Sequence, residues 1–195
     1  NNVLSAGADK VSINTEALKN PNFIDQASRT FGSSTIVIAI EALKQSDGSY
    51  LAFTDNGREY TGKNVLAWAS EAESRGAGEI LLTSIDREGT GEGFDLNLVE
   101  KISNIIKIPL IVHGGASSIN HIIEGLKVVD IEGFALASML HYSTLNFDNE
   151  LLGNYSGEGN IEFLKKKLSN KNFRDVSIDK IKNKIQEKGF CVRKT

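Results

Sequence analysis

At 195 residues the chain is long enough for one sizeable hydrophobic core, and its length does not call for two domains. Hydrophobic residues make up 40% and charged residues 24%, an ordinary globular balance, and a net charge of -3 supplies no basic field for nucleic acid. No apolar run approaches the ~20 residues needed to cross a bilayer, and a lone Cys191 has no internal disulfide partner, so a reducing cytoplasm is the simplest setting.

The chain opens NNVLSAGADKVSINT, with no Met and no charged-then-apolar signal segment. Val3, Leu4 and Ala6 followed by Gly7 look like the end of a helix and its cap. A helix end with nothing ahead of it to pack on predicts an N-terminally truncated fold. Apolar, β-branched runs then predict strands at Lys10–Asn14, Thr35–Ile40, Glu79–Ile85, Pro109–Val112 and Gly133–Leu136, buried on both faces as in a parallel sheet. Gly7, Gly32, Gly76–Gly78 and Gly133 mark turns before them.

Helices are predicted between the strands. Asn22–Thr30 follows Pro21, Val65–Arg75 carries Leu66, Trp68 and Ala69 on one side, and Leu96–Asn104 follows the capping candidate Asp95. Ser118–Leu126 completes the series, and Ile178–Lys188 places Ile178, Ile181 and Ile185 at helical spacing before Gly189. After the second strand, EALKQSDGSYLAFTDNG predicts a hairpin turning at Asp47–Gly48. The segment 145–172 is rich in Asn, Gly, Ser and Lys. It is expected to be a surface insertion with a short helix around Ile161–Leu168, the triple lysine Lys165–Lys167 forming a solvated face.

Residues 1–195 are thus expected to form one α/β domain of five strand–helix units. Rhythm alone fits either an open doubly wound sheet or the later strands of a barrel. The loops favour the barrel, because three glycine-rich or small-residue loops follow consecutive strands, at the ends where barrels place their active sites. SIDREGTGEGFD and VHGGASSI each run from a strand toward a helix, offering backbone N–H groups to an anion, and ALASMLHY follows the last strand. Gly89, Gly91 and Gly93 lack the spacing of a dinucleotide fingerprint.

Glu41 ends the run TIVIAI, so its carboxylate is expected to project into the barrel mouth, for acid–base work or as the rim partner of a Lys. Thr83, Asp86 and Glu88 are candidates for orienting substrate hydroxyls, with pairing of the acids to Arg87 as the structural alternative. His113 and His141 fall at strand ends without a second ligand at zinc-like spacing, so neither a metal nor a cofactor is expected. His121 lies within a helix, Trp68 on a core face, and Cys191 in the tail without a His or acid partner.

In order and spacing, GADKVSINT, NP, FGSSTIVIAIEA, RGAGEILLTSIDREGTGEGFD, HGGA and ALAS closely resemble the cyclase subunit family of imidazole glycerol phosphate synthase. The likeness runs from about Leu4 to Tyr142 and resumes in the terminal helix and its VR ending. It implies a (β/α)8 barrel of two similar half-barrels, of which strands 4–8 are present, and a glutaminase partner that delivers ammonia. The ammonia closes an imidazole ring and splits a nucleotide by-product from imidazole glycerol phosphate. By the same resemblance Asn14 and Thr15 hold one phosphate of a bisphosphorylated substrate, and Gly89, Gly114, Gly115, Ala137 and Ser138 hold the other.

Two departures from the family pattern stand out. Glu41 occupies the position of a catalytic Asp, one methylene further out, and Glu88 stands where Asp is common. The family's other catalytic Asp belongs to the first strand, so the fragment alone is expected to be inactive. Glu41, HGGA and the GEGNIEFL segment also resemble a paralogous branch associated with amidation of surface polysaccharide sugars. A non-catalytic phosphosugar-binding module is the remaining alternative.

Overall fold

The computed structural model describes residues 2–128, 131–145 and 176–193. Residues 146–172 of the expected insertion, with the helix around Ile161–Leu168 and the Lys165–Lys167 run, lie outside the described residues.

The chain begins in the short helix α1 (Asn2–Ser5). Gly7 closes it at φ 102°, with Gly7 N–H bonded to Leu4 O and Ala8 N–H to Val3 O, the paired bonds of a glycine-terminated helix. Then come β1 (Val11–Ile13), α2 (Thr15–Lys19), α3 (Asn22–Phe31) and β2 (Ile36–Lys44). A hairpin adds β3 (Tyr50–Thr54) and β4 (Glu59–Asn64). Alternation resumes with α4 (Val65–Ser74), β5 (Glu79–Ser84), α5 (Leu96–Ser103), β6 (Leu110–His113), α6 (Ile119–Val128), β7 (Gly133–Ala135), α7 (Ser138–Leu145) and α8 (Ile178–Glu187). Asn64, Asp95 and Ser177 cap α4, α5 and α8 with their side chains.

β1, β2, β5, β6 and β7 pair in parallel in chain order. β2 carries two partners on one edge: Ile36–Ile38 pair with β1, and Glu41–Lys44 pair antiparallel with β3. The other edge, Val37–Ala42, belongs to β5. The expected strand end at Ile40 is therefore corrected, since the strand runs on through Lys44 because β3 supplies hydrogen-bond partners beyond the reach of β1. Glu41 is consequently internal to β2, not its terminus.

One face of the sheet carries Ile36, Ile38, Ile40 and Ala42 of β2, Ile80 and Leu82 of β5, and Leu110 and Val112 of β6, all buried. They share a core cluster with Ile24 of α3, Trp68 and Ala72 of α4, Leu98 and Ile102 of α5, Ile122 of α6, and Ile181 and Ile185 of α8. The opposite face is only half-buried at Ala39, Glu41, Leu81, Thr83, Ile111 and His113. The expectation of strands buried on both faces thus holds on the helix side, while on the other face only Val37 is buried among the described residues of β2, β5 and β6.

Two contacts lock this layout. A Cβ at Gly78 would sit 2.0 Å from the backbone oxygen of Ser33, so the turn into β5 passes where only glycine fits. Buried Tyr50 donates its hydroxyl to Asp95 Oδ2 at 2.9 Å, while Asp95 Oδ1 accepts Leu98 N–H at 3.1 Å, joining the hairpin to the start of α5. Burial, then the Asp95 carboxylate, push the Tyr50 phenol up from its ordinary value of 10.0. The folded chain keeps a proton that the unfolded chain sheds, so this contribution is present below pH about 10 and is lost as pH rises above it.

Gly78→Ala is expected to destabilise by about 1–3 kcal/mol or more, read as a lower urea midpoint. Tyr50→Phe is expected to cost about 1–3 kcal/mol at neutral pH, by leaving the Asp95 oxygen without its donor, and to flatten the loss of stability above pH ~10. Thermal unfolding against pH measures both effects.

Candidate active site

Parallel register sets the geometry at the carboxyl ends of the strands. Glu41 pairs with Thr83, Thr83 with His113, and His113 with Ala135, so these four stand abreast on the half-buried face. Beneath them lies an apolar row of Ala39, Leu81, Ile111 and Gly133. Further down, Glu79 is paired with Lys10 from the approach to β1.

The hairpin folds back over this row. Asp55, Asn56 and Gly57 all take left-handed φ, at 53°, 56° and 77°, which turns the chain sharply between β3 and β4. Gly57 N–H then donates to Glu41 Oε2 at 2.7 Å. A rim Lys is not the partner of Glu41; a backbone amide is. Thr83 Oγ1 lies 3.2 Å from His113 Nδ1, a contact that residue-by-residue reading of the sequence did not anticipate.

Asn14 joins the same mouth from β1. Its Nδ2 donates to Phe53 O at 3.2 Å, and Phe53 is the register partner of Glu41. Its buried Oδ1 has no hydrogen-bond partner among the described residues, and Thr15 opens α2 directly after it. Asp86 is already engaged, accepting Lys44 N–H at 2.7 Å and so tying the β5–α5 loop to the end of β2. The pairing of Asp86 or Glu88 with Arg87 is not what forms: Arg87 reaches Glu92 at 3.3 Å across its own exposed loop, and Glu88 is exposed.

The glycines of the two middle loops have a packing role that composition does not reveal. Gly93 N–H donates to Gly115 O at 2.8 Å, and Ser117 Oγ donates to Gly91 O at 2.6 Å, so the β5–α5 and β6–α6 loops are stitched together. A Cβ at Gly115 would lie 2.2 Å from Gly93 O, and one at Gly114 2.7 Å from Ser84 O. Gly89 differs, with φ 74° and open space around it. Ser117 N–H donates to His121 Nδ1 at 3.2 Å, giving that helix histidine a structural task. Ala137 is exposed and its carbonyl accepts from Leu140 and His141, while Ser138 is the first residue of α7.

Glu41, Asn14, Thr15 and Thr83 are thus gathered at one side of the mouth, and Gly89, Gly114 and Gly115 on the loops of the next two strands, with Ala137 and Ser138 after β7. Sequence reading missed the Gly57 amide, whose signal is the DNG turn, and the partner of His113, which depends on register alone. Among the described residues, no three His, Cys, Asp or Glu gather as a metal site and no helix is long and apolar enough to cross a membrane.

Consecutive parallel β/α units with their loops gathered at the strand carboxyl ends make this an α/β protein whose seven-stranded sheet supplies five units of a (β/α)8 barrel, the fold of the family its sequence matches. Residues 1–146 match the family described as histidine biosynthesis protein, and the chain belongs to that family. It is 43% identical over 144 residues to the imidazole glycerol phosphate synthase subunit HisF of Streptococcus sanguinis (strain SK36), an alignment covering 74% of this chain and 57% of that protein. The protein of the same name from Prochlorococcus marinus (strain AS9601) is 48% identical over 143 residues, 72% of this chain and 56% of the relative. That of Streptococcus gordonii (strain Challis) is 42% identical over 144 residues, covering 74% and 57%. The chain therefore spans a little over half the length of these relatives.

Gly115→Ala is expected to unpick the two loops, because the added carbon collides with a backbone oxygen and the φ of 96° resists an L side chain. A cost of about 1–3 kcal/mol is expected in chemical denaturation, together with weaker protection of the Gly93 amide in hydrogen exchange.

Proposed function

We propose that this chain is part of a cyclase subunit of imidazole glycerol phosphate synthase and carries one of the subunit's two catalytic carboxylates. In this reading it takes ammonia from a glutaminase subunit in a cytoplasmic heterodimer. The substrate is a bisphosphorylated ribulosyl-aminoimidazole carboxamide precursor. The products are imidazole glycerol phosphate and aminoimidazole carboxamide ribonucleotide. Family membership and the names of the relatives support the reading.

The single observation that carries it is the placement of Glu41. Its carboxylate stands on the inner face, held by the Gly57 amide, with Asn14 and Thr15 on one side and the Gly114–Gly115 loop on the other. Glu41 then moves a proton to or from the substrate, and Thr83 orients a substrate hydroxyl. One phosphate sits at Asn14–Thr15. The second sits across Gly89, Gly114, Gly115, Ala137 and Ser138, whose backbone N–H groups suit an anion. Glu88 is exposed beside the second grip and has room to reach a ligand; Asp86 holds the loop that carries it.

The test is ring closure by the full-length gene product with ammonia and the bisphosphorylated precursor. Turnover is expected, and Glu41→Gln is expected to lower kcat by about 10²–10⁴-fold while the fold persists. Absence of ring closure by the unaltered protein sinks the reading. Growth of a histidine auxotroph carrying the gene separates it from sugar amidation, which would leave the auxotroph unrescued.

A further inference from the structure

We propose that Tyr60, on the hairpin, is a specificity-determining residue of this site, whose ring stacks on a flat imidazole ring of the ligand; the proposal rests on the cyclase reading above. The row that holds Glu41 does not end at β2. Glu41 pairs with Phe53 on β3, and Phe53 pairs in turn with Tyr60 on β4. Directly opposed residues of an antiparallel pair send their side chains to the same face. Tyr60, Phe53, Glu41, Thr83, His113 and Ala135 therefore stand in one row, with an aromatic pair at its hairpin end.

The two rings play different parts. Phe53 is 8% exposed, whereas Tyr60 is 66% exposed, more than any other large apolar side chain among the described residues. Their centroids lie 5.8 Å apart with 72° between the planes, an edge-to-face contact that fixes the tilt of the Tyr60 ring. The backbone at Gly62 steadies the same ring, since a Cβ added there would come within 3.6 Å of Tyr60 Cε1. Tyr60 is thus an aromatic surface open to solvent yet held in place, and a ring held in advance loses little freedom when a ligand settles on it.

Position ties this surface to the reacting end of the mouth. At a strand spacing of ~4.8 Å the Tyr60 backbone stands about 10 Å from that of Glu41, room for a flat ring to lie over Phe53 with the atom bonded to it reaching the carboxylate. Phe53 O accepts the Asn14 amide, so the aromatic end also lies beside the Asn14–Thr15 grip.

Chemistry selects the occupant. Among the described residues of the row, Phe53 and Tyr60 supply the only apolar rings. The precursor is otherwise hydroxyls and phosphates, which an aromatic face does not favour, so its flat nitrogen heterocycle is the portion that matches. Each product carries such a ring: aminoimidazole in the nucleotide that leaves, and imidazole in imidazole glycerol phosphate. Stacking needs the face of the Tyr60 ring and not its hydroxyl.

The experiment is steady-state kinetics of the full-length protein with ammonia and the bisphosphorylated precursor, together with inhibition by each product and by inorganic phosphate. Tyr60→Ala is expected to raise KM about tenfold with kcat within about threefold, the sign of lost binding shared by ground and transition states. Tyr60→Phe is expected to keep KM within about twofold. Tyr60→Leu, which keeps apolar bulk over Phe53 and Gly62 without a flat ring, is expected to unfold at the temperature of the unaltered protein and still show the rise in KM. Inhibition by the product whose ring rests on Tyr60 is expected to weaken about tenfold in Tyr60→Ala, which identifies that ring, while inhibition by inorganic phosphate stays unchanged. KM within about threefold in both Tyr60→Ala and Tyr60→Leu overturns the proposal and leaves the cyclase reading intact. Inhibition by inorganic phosphate weakened as much as that by the products also overturns it, because Tyr60 then only shapes the hairpin. No turnover by the unaltered protein removes the cyclase reading and the proposal with it. If Tyr60→Ala fails to fold, judged by thermal unfolding, Tyr60→Leu decides.

Discussion

The mouth of this structure depends on β2 serving two partners along a single edge. Its first residues pair in parallel with β1 and its last pair antiparallel with β3, while β5 lies along the other edge. A strand of ordinary barrel length would release its chain at Ile40. Running on to Lys44 instead, it lifts the hairpin above the strand ends and lets the left-handed turn at Asp55–Gly57 return over Glu41. The position of the carboxylate, its amide partner and the contact of Asn14 with Phe53 all follow from that one extension.

The second constraint is the joining of loops that composition presents as separate motifs. SIDREGTGEGFD and VHGGASSI are held by backbone and Ser117 contacts at distances where any Cβ on Gly114 or Gly115 would collide. Their glycines therefore serve packing first, and the backbone amides left at the loop surface are a consequence of that close approach. Packing and anion binding are not rival explanations, since a loop stripped of side chains to fit against its neighbour also leaves its backbone open to a ligand.

The sequence was most legible where burial and periodicity coincide. Four of the five parallel strands and the helices from Asn22, Val65, Leu96 and Ile178 emerge within one or two residues of expectation, because each carries an apolar stripe or a cap or breaker at its end, whereas β2 overruns its expected end by four residues. β4 was not legible: EYTGKN is exposed, or nearly so, along its whole length and owes its strand form to pairing with β3. The five-residue helix Thr15–Lys19 escaped for a related reason, having only Ala17 fully buried. At the site, Glu41 was identified by its charge at the end of an apolar run, but its partner was not, since Gly57 lies in the turn between two other strands.

By itself the sequence determined the alternation of strand and helix, the order of the glycine loops and the chemical types available at the mouth. Those are properties of local pattern: β-branched runs, 3.6-residue stripes and left-handed positions that demand glycine. Tertiary structure alone decided which residues stand abreast, and so that Glu41, Thr83 and His113 form one row while Asp86 is turned to the Lys44 amide. Register between strands is set by packing of the whole sheet against its helices, and a one-residue slip would send each of these side chains to the opposite face.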